Sequence, residues 1–368
     1  MSDWEEKLPG VVEILTANAA RHDREASLPD EGIQAIHEAG LLTATVHERH
    51  GGPGAGLADT VTILRSLGRG DPSAALVTAM TMFAHALQGR TPTWPDDVYA
   101  EALRADRPVL INELQVEPDL GTPVRGGLPA TVAVETGGGF ELSGHKIYCT
   151  GAELLGWMVV TARVGDTEEV RAFLVRGDAP GVTVKATWDH LGLRGSRSDD
   201  VTFDRVPAVL TAPAVRDPLT QAWNSLGLAA LYLGVADAAR DWLVTFLAER
   251  TPAALGAPLA TLPRFQTAVG EIDASLGTSW DLLWSLAERT DAGDDAAAAR
   301  APAAKLIATR AAIGAVEQAV ALVGNNGLTR RNPLERHYRD VLCARVHTPQ
   351  NDAIVSAAGR VAFAGLLP

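Results

Sequence analysis

Helical periodicity dominates the first hundred or so residues. From Pro29, a proline at a first turn is followed by Ile33 and Ile36 on one face and by a stop at Gly40. Asp71-Pro72-Ser73 then opens a strongly apolar stretch, with Leu76, Met80, Phe83 and Leu87 at helical spacing. After about Val109 the period falls to two. Val132 and Val134 alternate with smaller or polar residues, Gly137-Gly138-Gly139 supplies a turn, and Phe140 and Leu142 resume the alternation. The β-rich runs 157–164 and 171–175, then Val182, Val184, Val201 and Phe203, continue it between Gly, Asp and Pro. About a hundred residues of short strands with glycine turns predict a small barrel or sandwich. Helical period returns after Pro213. Leu231, Val235, Trp242 and Phe246 form one stripe, and Ile313, Val316, Val320 and Val323 another, while residues 291–299 read as an acidic, alanine-rich connection. The pattern predicts a mainly α chain with a central β domain: an N-terminal helical domain over 1–110, a middle β domain over 111–212 and a C-terminal helical bundle over 213–368.

Composition narrows the function classes. The 368 residues are 46% apolar with a mean hydropathy of +0.05, enough for a sizeable core in two or three packed units. A net charge of −13 argues against nucleic-acid binding, which needs a basic surface to release counterions. The two cysteines, Cys149 and Cys343, make neither a disulfide framework nor a zinc spacing, so no metal is expected and a reducing cytoplasm is the natural compartment. No run reaches the roughly 18–20 continuous apolar residues of a membrane span. The acidic start Met1-Ser2-Asp3-Trp4-Glu5-Glu6 has no apolar run behind it. A soluble, unprocessed protein without a membrane partner is expected.

Four local motifs point further. They are Val116-Glu117-Pro118-Asp119-Leu120-Gly121-Thr122, the segment Gly144-His145-Lys146-Ile147-Tyr148-Cys149-Thr150-Gly151, the stretch Gly192-Leu193-Arg194-Gly195-Ser196-Arg197-Ser198, and Gly324-Asn325-Asn326-Gly327-Leu328 followed by Arg339-Asp340. In that order, on those kinds of secondary structure, they resemble the acyl-CoA dehydrogenase superfamily over nearly the whole chain. The resemblance implies that superfamily's three-domain fold and a bound flavin. An isoalloxazine ring needs a flat apolar slot, a few fixed donors and close backbone approach. By resemblance, the Thr150 hydroxyl and amide face flavin N5, and Tyr148 packs on the ring where the family usually has tryptophan. Glu117, Gly121 and Thr122 form the loop beside it, Gly324 and Asn325 belong to the glycine loop, and Gln350 follows near the fourth motif. Arg250, with Gly256 and Gln266 behind it, matches the segment that reaches the FAD of a neighbouring subunit, which implies a homodimer or homotetramer. Val116 and Ala321 stand where threonine and glutamine usually contact FAD, so FMN is the alternative cofactor.

The same resemblance exposes a gap. Acyl-CoA dehydrogenation needs a desolvated carboxylate to take the α-proton while a hydride leaves for N5. Counting from Arg339-Asp340, that glutamate position falls on Thr348, with His347 before it; the alternative position in the family, counted back from Leu233-Gly234, falls on Asn224. Neither side chain is a base, and both are candidates for the substrate pocket. Either His347 or Asp352 replaces the glutamate, or the reaction differs, or the chain is an inactive flavin-binding subunit. The superfamily has a monooxygenase branch, resembling dibenzothiophene monooxygenase and the amino-sugar N-oxygenases. There flavin reduced by a separate reductase or electron-transfer partner meets oxygen, and a histidine titrating near neutral pH suits such chemistry on a small-molecule substrate. His347 is the candidate for that role, a structural histidine near a helix end being its bland alternative. His85, on the apolar stripe, is a candidate pocket residue, although a histidine there is more often part of the core.

Overall fold

The computed structural model describes residues 3–104, 107–120, 127–213 and 217–364. Ahead of the strands lie helices α1 (Asp3–Glu25), α2 (Asp30–Glu38), α3 (Leu57–Gly70), α4 (Pro72–Arg90) and α5 (Asp96–Leu103). The Asp71 carboxylate accepts the backbone N–H of Ser73 at 2.8 Å and of Ala74 at 3.4 Å, with Pro72 in the first turn, so the start signal is a working cap. The apolar stripe of α4 needs correction. Met80, Phe83 and Leu87 are half-buried, whereas Ala74, Ala75, Val77, Ala79, Met82 and Ala86 are fully packed. Helix α4 runs between α3, α6 and the first strand, and the smaller side chains let those neighbours approach.

The strands are β1 (Leu110–Leu114), β2 (Val132–Thr136), β3 (Gly139–Cys149), β4 (Leu155–Val164), β5 (Val170–Arg176), β6 (Val182–Lys185) and β7 (Asp199–Leu210). Their pairings close on themselves: β4 pairs with β2 and β5, β5 with β7, β7 with β3 and β3 with β2. The result is a small barrel, with β1 added along β4 and β6 along β7. Thr136 opposite Gly139 makes the predicted glycine hairpin, where Gly139 takes φ +135°.

Helices α6 (Pro218–Glu249), α7 (Pro263–Asp291), α8 (Asp295–Val323), α9 (Asn325–Leu328), α10 (Leu334–Leu342) and α11 (Asn351–Ala362) follow. Helices α3 and α6 touch backbone to backbone. A Cβ on Gly68 would lie 2.3 Å from the Leu231 carbonyl oxygen, and one on Gly234 would lie 2.0 Å from that of Arg65. The bidentate Arg65–Asp237 pair, at 2.7 and 3.1 Å, closes the same contact. The acidic connection at 291–299 is mostly helix. Only residues 292–294 lie between α7 and α8; Asp294 caps α8 through Ala296 and Ala297, and Asp291 accepts from the N–H groups of Leu57 and Ala58 at the start of α3. Carboxylates sit there because helix N-termini present unpaired donors. Among the described residues, α8 alone is long and apolar enough to cross a membrane; one face of it packs against α6 and α7 while Ile307 is exposed.

Candidate functional site

Contacts between the four motifs tie them into one chain. Glu117 and Lys146, both buried, form an ion pair with Nζ 2.7 Å from Oε1. Glu117 also accepts the N–H of Ala130 at 2.6 Å and of Thr131 at 3.2 Å, and Ile147 N–H donates to the Val116 carbonyl at 3.0 Å. Burial alone would raise the Glu117 carboxyl, but the Lys146 ammonium and these donors hold it below its usual value. Both carboxylate oxygens are thus engaged inside the protein. The Glu117 carboxylate, expected at the cofactor, braces the loop. Gly121 and Thr122, the rest of that loop, lie outside the described residues.

The second motif meets the third through hydroxyls. Thr150 Oγ1 lies 3.0 Å from Ser198 Oγ, which lies 2.9 Å from the buried Ser196 Oγ, and Gly151 N–H donates to the Ser196 carbonyl at 2.9 Å. Asn112 fixes the Thr150 carbonyl from β1 at 3.2 Å. Tyr148, at φ +58°, turns its ring outward and leaves it 54% exposed. It stands edge-on to Trp188 and His190, which stack on each other with centroids 3.6 Å apart. An open aromatic surface next to a fixed hydroxyl suits a planar ring system with a polar edge, so these residues fit a flavin. Thr150→Val is expected to weaken flavin binding by about 0.5–1.5 kcal/mol and to shift the flavin absorption bands in a titration with FMN or FAD. Unchanged affinity and bands would remove Thr150 from the flavin's surroundings.

The third motif joins the fourth through Asp340, whose Oδ1 accepts the Leu193 N–H at 2.7 Å; burial pushes this carboxyl up to about 7. Arg339 pairs with Asp23 of α1 at 2.7 and 2.8 Å. The Arg-Asp pair of the sequence therefore clamps the bundle to both preceding domains.

Beyond α10 the chain makes the turn 347–350, and here Asn224 and Thr348 meet. Asn224 Nδ2 donates to the Thr348 carbonyl at 2.6 Å. The ammonium of the buried Lys305 on α8 donates to the carbonyls of His347 at 2.7 Å and Pro349 at 2.8 Å. His347 Nδ1 lies 2.7 Å from the hydroxyl of Tyr232, a fully buried residue of α6 whose burial raises its pKa well above the usual value and keeps it protonated. Burial, assisted by the Lys305 charge, lowers His347 to about 4. Both influences favour the neutral imidazole, where the sequence suggested a group titrating near neutral pH. Asp352 is exposed in the first turn of α11, and Gln350 stands at that helix's N-cap.

The remaining candidates lie elsewhere. His85 is buried with Nδ1 2.9 Å from the Tyr99 hydroxyl, packed beside a cluster that includes Trp94, Tyr99 and Trp157; burial lowers it to about 4. It is a core histidine, which corrects its assignment to the pocket. Gly324 ends α8 at φ +56°, with Asn325 exposed after it. Arg250 caps α6 on the surface, and Gln266, also exposed, donates to the Ala260 carbonyl at 2.9 Å. Lys305 and Tyr232 carried no sequence signal, because each joins the site only through contacts with the distant 347–349 turn.

Three domain descriptions match in order: the acyl-CoA dehydrogenase N-terminal domain at residues 11–89, its middle domain at 115–206 and its C-terminal domain at 226–351. YdbM of Bacillus subtilis (strain 168), assigned as an acyl-CoA dehydrogenase, is 32% identical over 98% of this chain and 96% of its own length. The amino sugar nitrososynthase DnmZ of Streptomyces peucetius is 32% identical over 92% of this chain and 87% of its own. The structure of KijD3 in complex with FMN and dTDP-3-amino-2,3,6-trideoxy-4-keto-3-methyl-D-glucose superposes with a TM-score of 0.78 at 26% identity, covering 98% of this chain and 92% of that one. With the domain order, the joined motifs and these likenesses together, the chain belongs to the acyl-CoA dehydrogenase family of flavin-dependent oxidoreductases.

Proposed function

We propose that this protein is an oxygenase of the family, using reduced flavin and oxygen on a small-molecule substrate. The observation that carries the reading is the hydrogen bond between Asn224 and Thr348. Both positions that would hold the α-proton base carry neutral side chains, and they brace each other. Tyr148, Thr150, Gly324 and Asn325 would hold the flavin from this chain. Arg250 and Gln266, exposed at the end of α6 and the start of α7, would reach the flavin of a second copy in a homodimer or homotetramer. Bound and reduced, FMN or FAD supplies the electrons that activate oxygen. A separate reductase or electron-transfer partner in the cytoplasm would keep it reduced.

His347 has a defined part in this reading. In this reading the neutral Tyr232 hydroxyl is the donor of its 2.7 Å contact with Nδ1, and the ring proton sits on Nε2. The side chain then offers one fixed N–H donor that does not titrate in the physiological range. The likeness to DnmZ, named for nitrososynthase activity, and to KijD3, bound to FMN and an amino sugar nucleotide, supports oxygen transfer as the reaction class. A dehydrogenase with a relocated base is the second reading, favoured by the likeness to YdbM. It is the weaker one, because Asp352 is exposed and His347 Nδ1 is already engaged.

The test is His347→Ala. FMN affinity should stay near the native value. Reduced FMN-loaded protein mixed with oxygenated buffer should release hydrogen peroxide faster than the native protein does. The native rate should show no inflection from this ring between about pH 6 and 8, since neutral imidazole is its only form there. An unchanged peroxide rate in the variant would take His347 out of the reaction.

A further inference from the structure

The mechanism above leaves Lys305 unused, yet it is among the largest fully buried side chains. Its ammonium has no carboxylate partner among the described residues; its acceptors are the carbonyls of His347 and Pro349. Burying an unpaired cation is costly, and a neutral residue at this point of α8 would avoid the cost. Three consecutive carbonyls of one turn, those of His347, Thr348 and Pro349, each accept from a side chain of the bundle. Lys305 supplies the outer two bonds from α8, and Asn224 supplies the middle one from α6.

We infer that Lys305 is a positioning residue: its ammonium clamps the 347–349 turn to α8 and so fixes the ring of His347 against Tyr232. An ammonium suits the task because its three donors diverge to two carbonyls from a single atom, whereas a hydroxyl has one donor and the two of an amide are fixed in its plane. Burial lowers Lys305 to about 8, so the charged form persists at neutral pH. The same charge adds to burial in keeping His347 neutral. Tyr232 of α6 faces this turn through His347, and Asp340 of α10 and Cys343 just beyond it act in turn on Tyr232. The inference deepens the oxygenase reading, while the clamp itself can be tested without it.

The experiment is hydrogen–deuterium exchange on the full chain, followed in the peptide spanning residues 345–352, for the native protein, Lys305→Met and Lys305→Gln. Lys305→Met should speed exchange in that peptide about tenfold or more while the core of α6 and α8 exchanges as before, because only the local opening changes. Lys305→Gln keeps a donor for one carbonyl and should fall between; it carries the test alone if the methionine variant does not fold. Labelled imidazole nitrogens should report the Nε2–H form of His347 in the native chain, with a titration midpoint that rises in both variants. Native-like exchange with an unmoved His347 midpoint would overturn the inference. If the Lys305 variants loosen the turn but His347→Ala leaves peroxide release unchanged, the clamp stands and the role given to His347 in the oxygenase reading falls.

Discussion

Glu117→Ala is expected to destabilise the protein by about 3–5 kcal/mol, the usual cost of stripping one partner from a buried ion pair. Lys146 is 0% exposed and donates to Glu117 at 2.7 Å, so the variant leaves a cation in the interior with no counter-charge. The N–H groups of Ala130 and Thr131 lose their acceptor as well. A urea unfolding curve should show the loss, and flavin uptake should fall with it, since this pair joins the first two motifs. The double variant Glu117→Gln with Lys146→Met should recover much of the stability, because no unpaired charge then remains. A loss below about 1 kcal/mol in the single variant would be the size of an exposed pair and would contradict this burial.

Thr348→Glu is expected to raise the rate at which acyl-CoA thioesters reduce the bound flavin by roughly 10²–10⁴-fold, the typical contribution of a positioned general base. The Thr348 side chain is exposed while its carbonyl is held by Asn224, so the backbone is fixed and the side chain is free to change. Neither threonine nor asparagine can accept the α-proton, so under the oxygenase reading proposed above the native chain lacks the step. The rate of flavin bleaching in stopped flow reads the effect. No gain, with a thioester shown to bind, would mean that position 348 does not face the substrate carbon.

The order of helices, strands and helices was legible because period and punctuation are local properties. Asp71-Pro72 and the glycines at 137–139 act where they stand, as a cap and a hairpin. The errors share a cause: burial and partnership are set by distant parts of the chain. The 80/83/87 positions of α4 are apolar at the right spacing, but alanines on the same helix give the tighter contacts. Glu117 lies in a cofactor-loop motif, and only the fold shows Lys146 consuming it. His85 became a core residue through Tyr99, 14 positions away. Lys305 and Tyr232 reach His347 from 42 and 115 positions away, distances at which no motif operates. The sequence pointed to Asn224 and Thr348 separately, whereas the hydrogen bond that joins them needed the fold.

The most direct test mixes oxidised, flavin-loaded protein anaerobically with a panel of short-, medium- and long-chain acyl-CoA thioesters while the flavin band is followed. With Thr348 and Asn224 at the base positions, the band should persist with every thioester, and the same protein reduced chemically should reoxidise on admission of air. Rapid bleaching by any one of them would show that a base acts on the α-carbon, and the protein would then be a dehydrogenase.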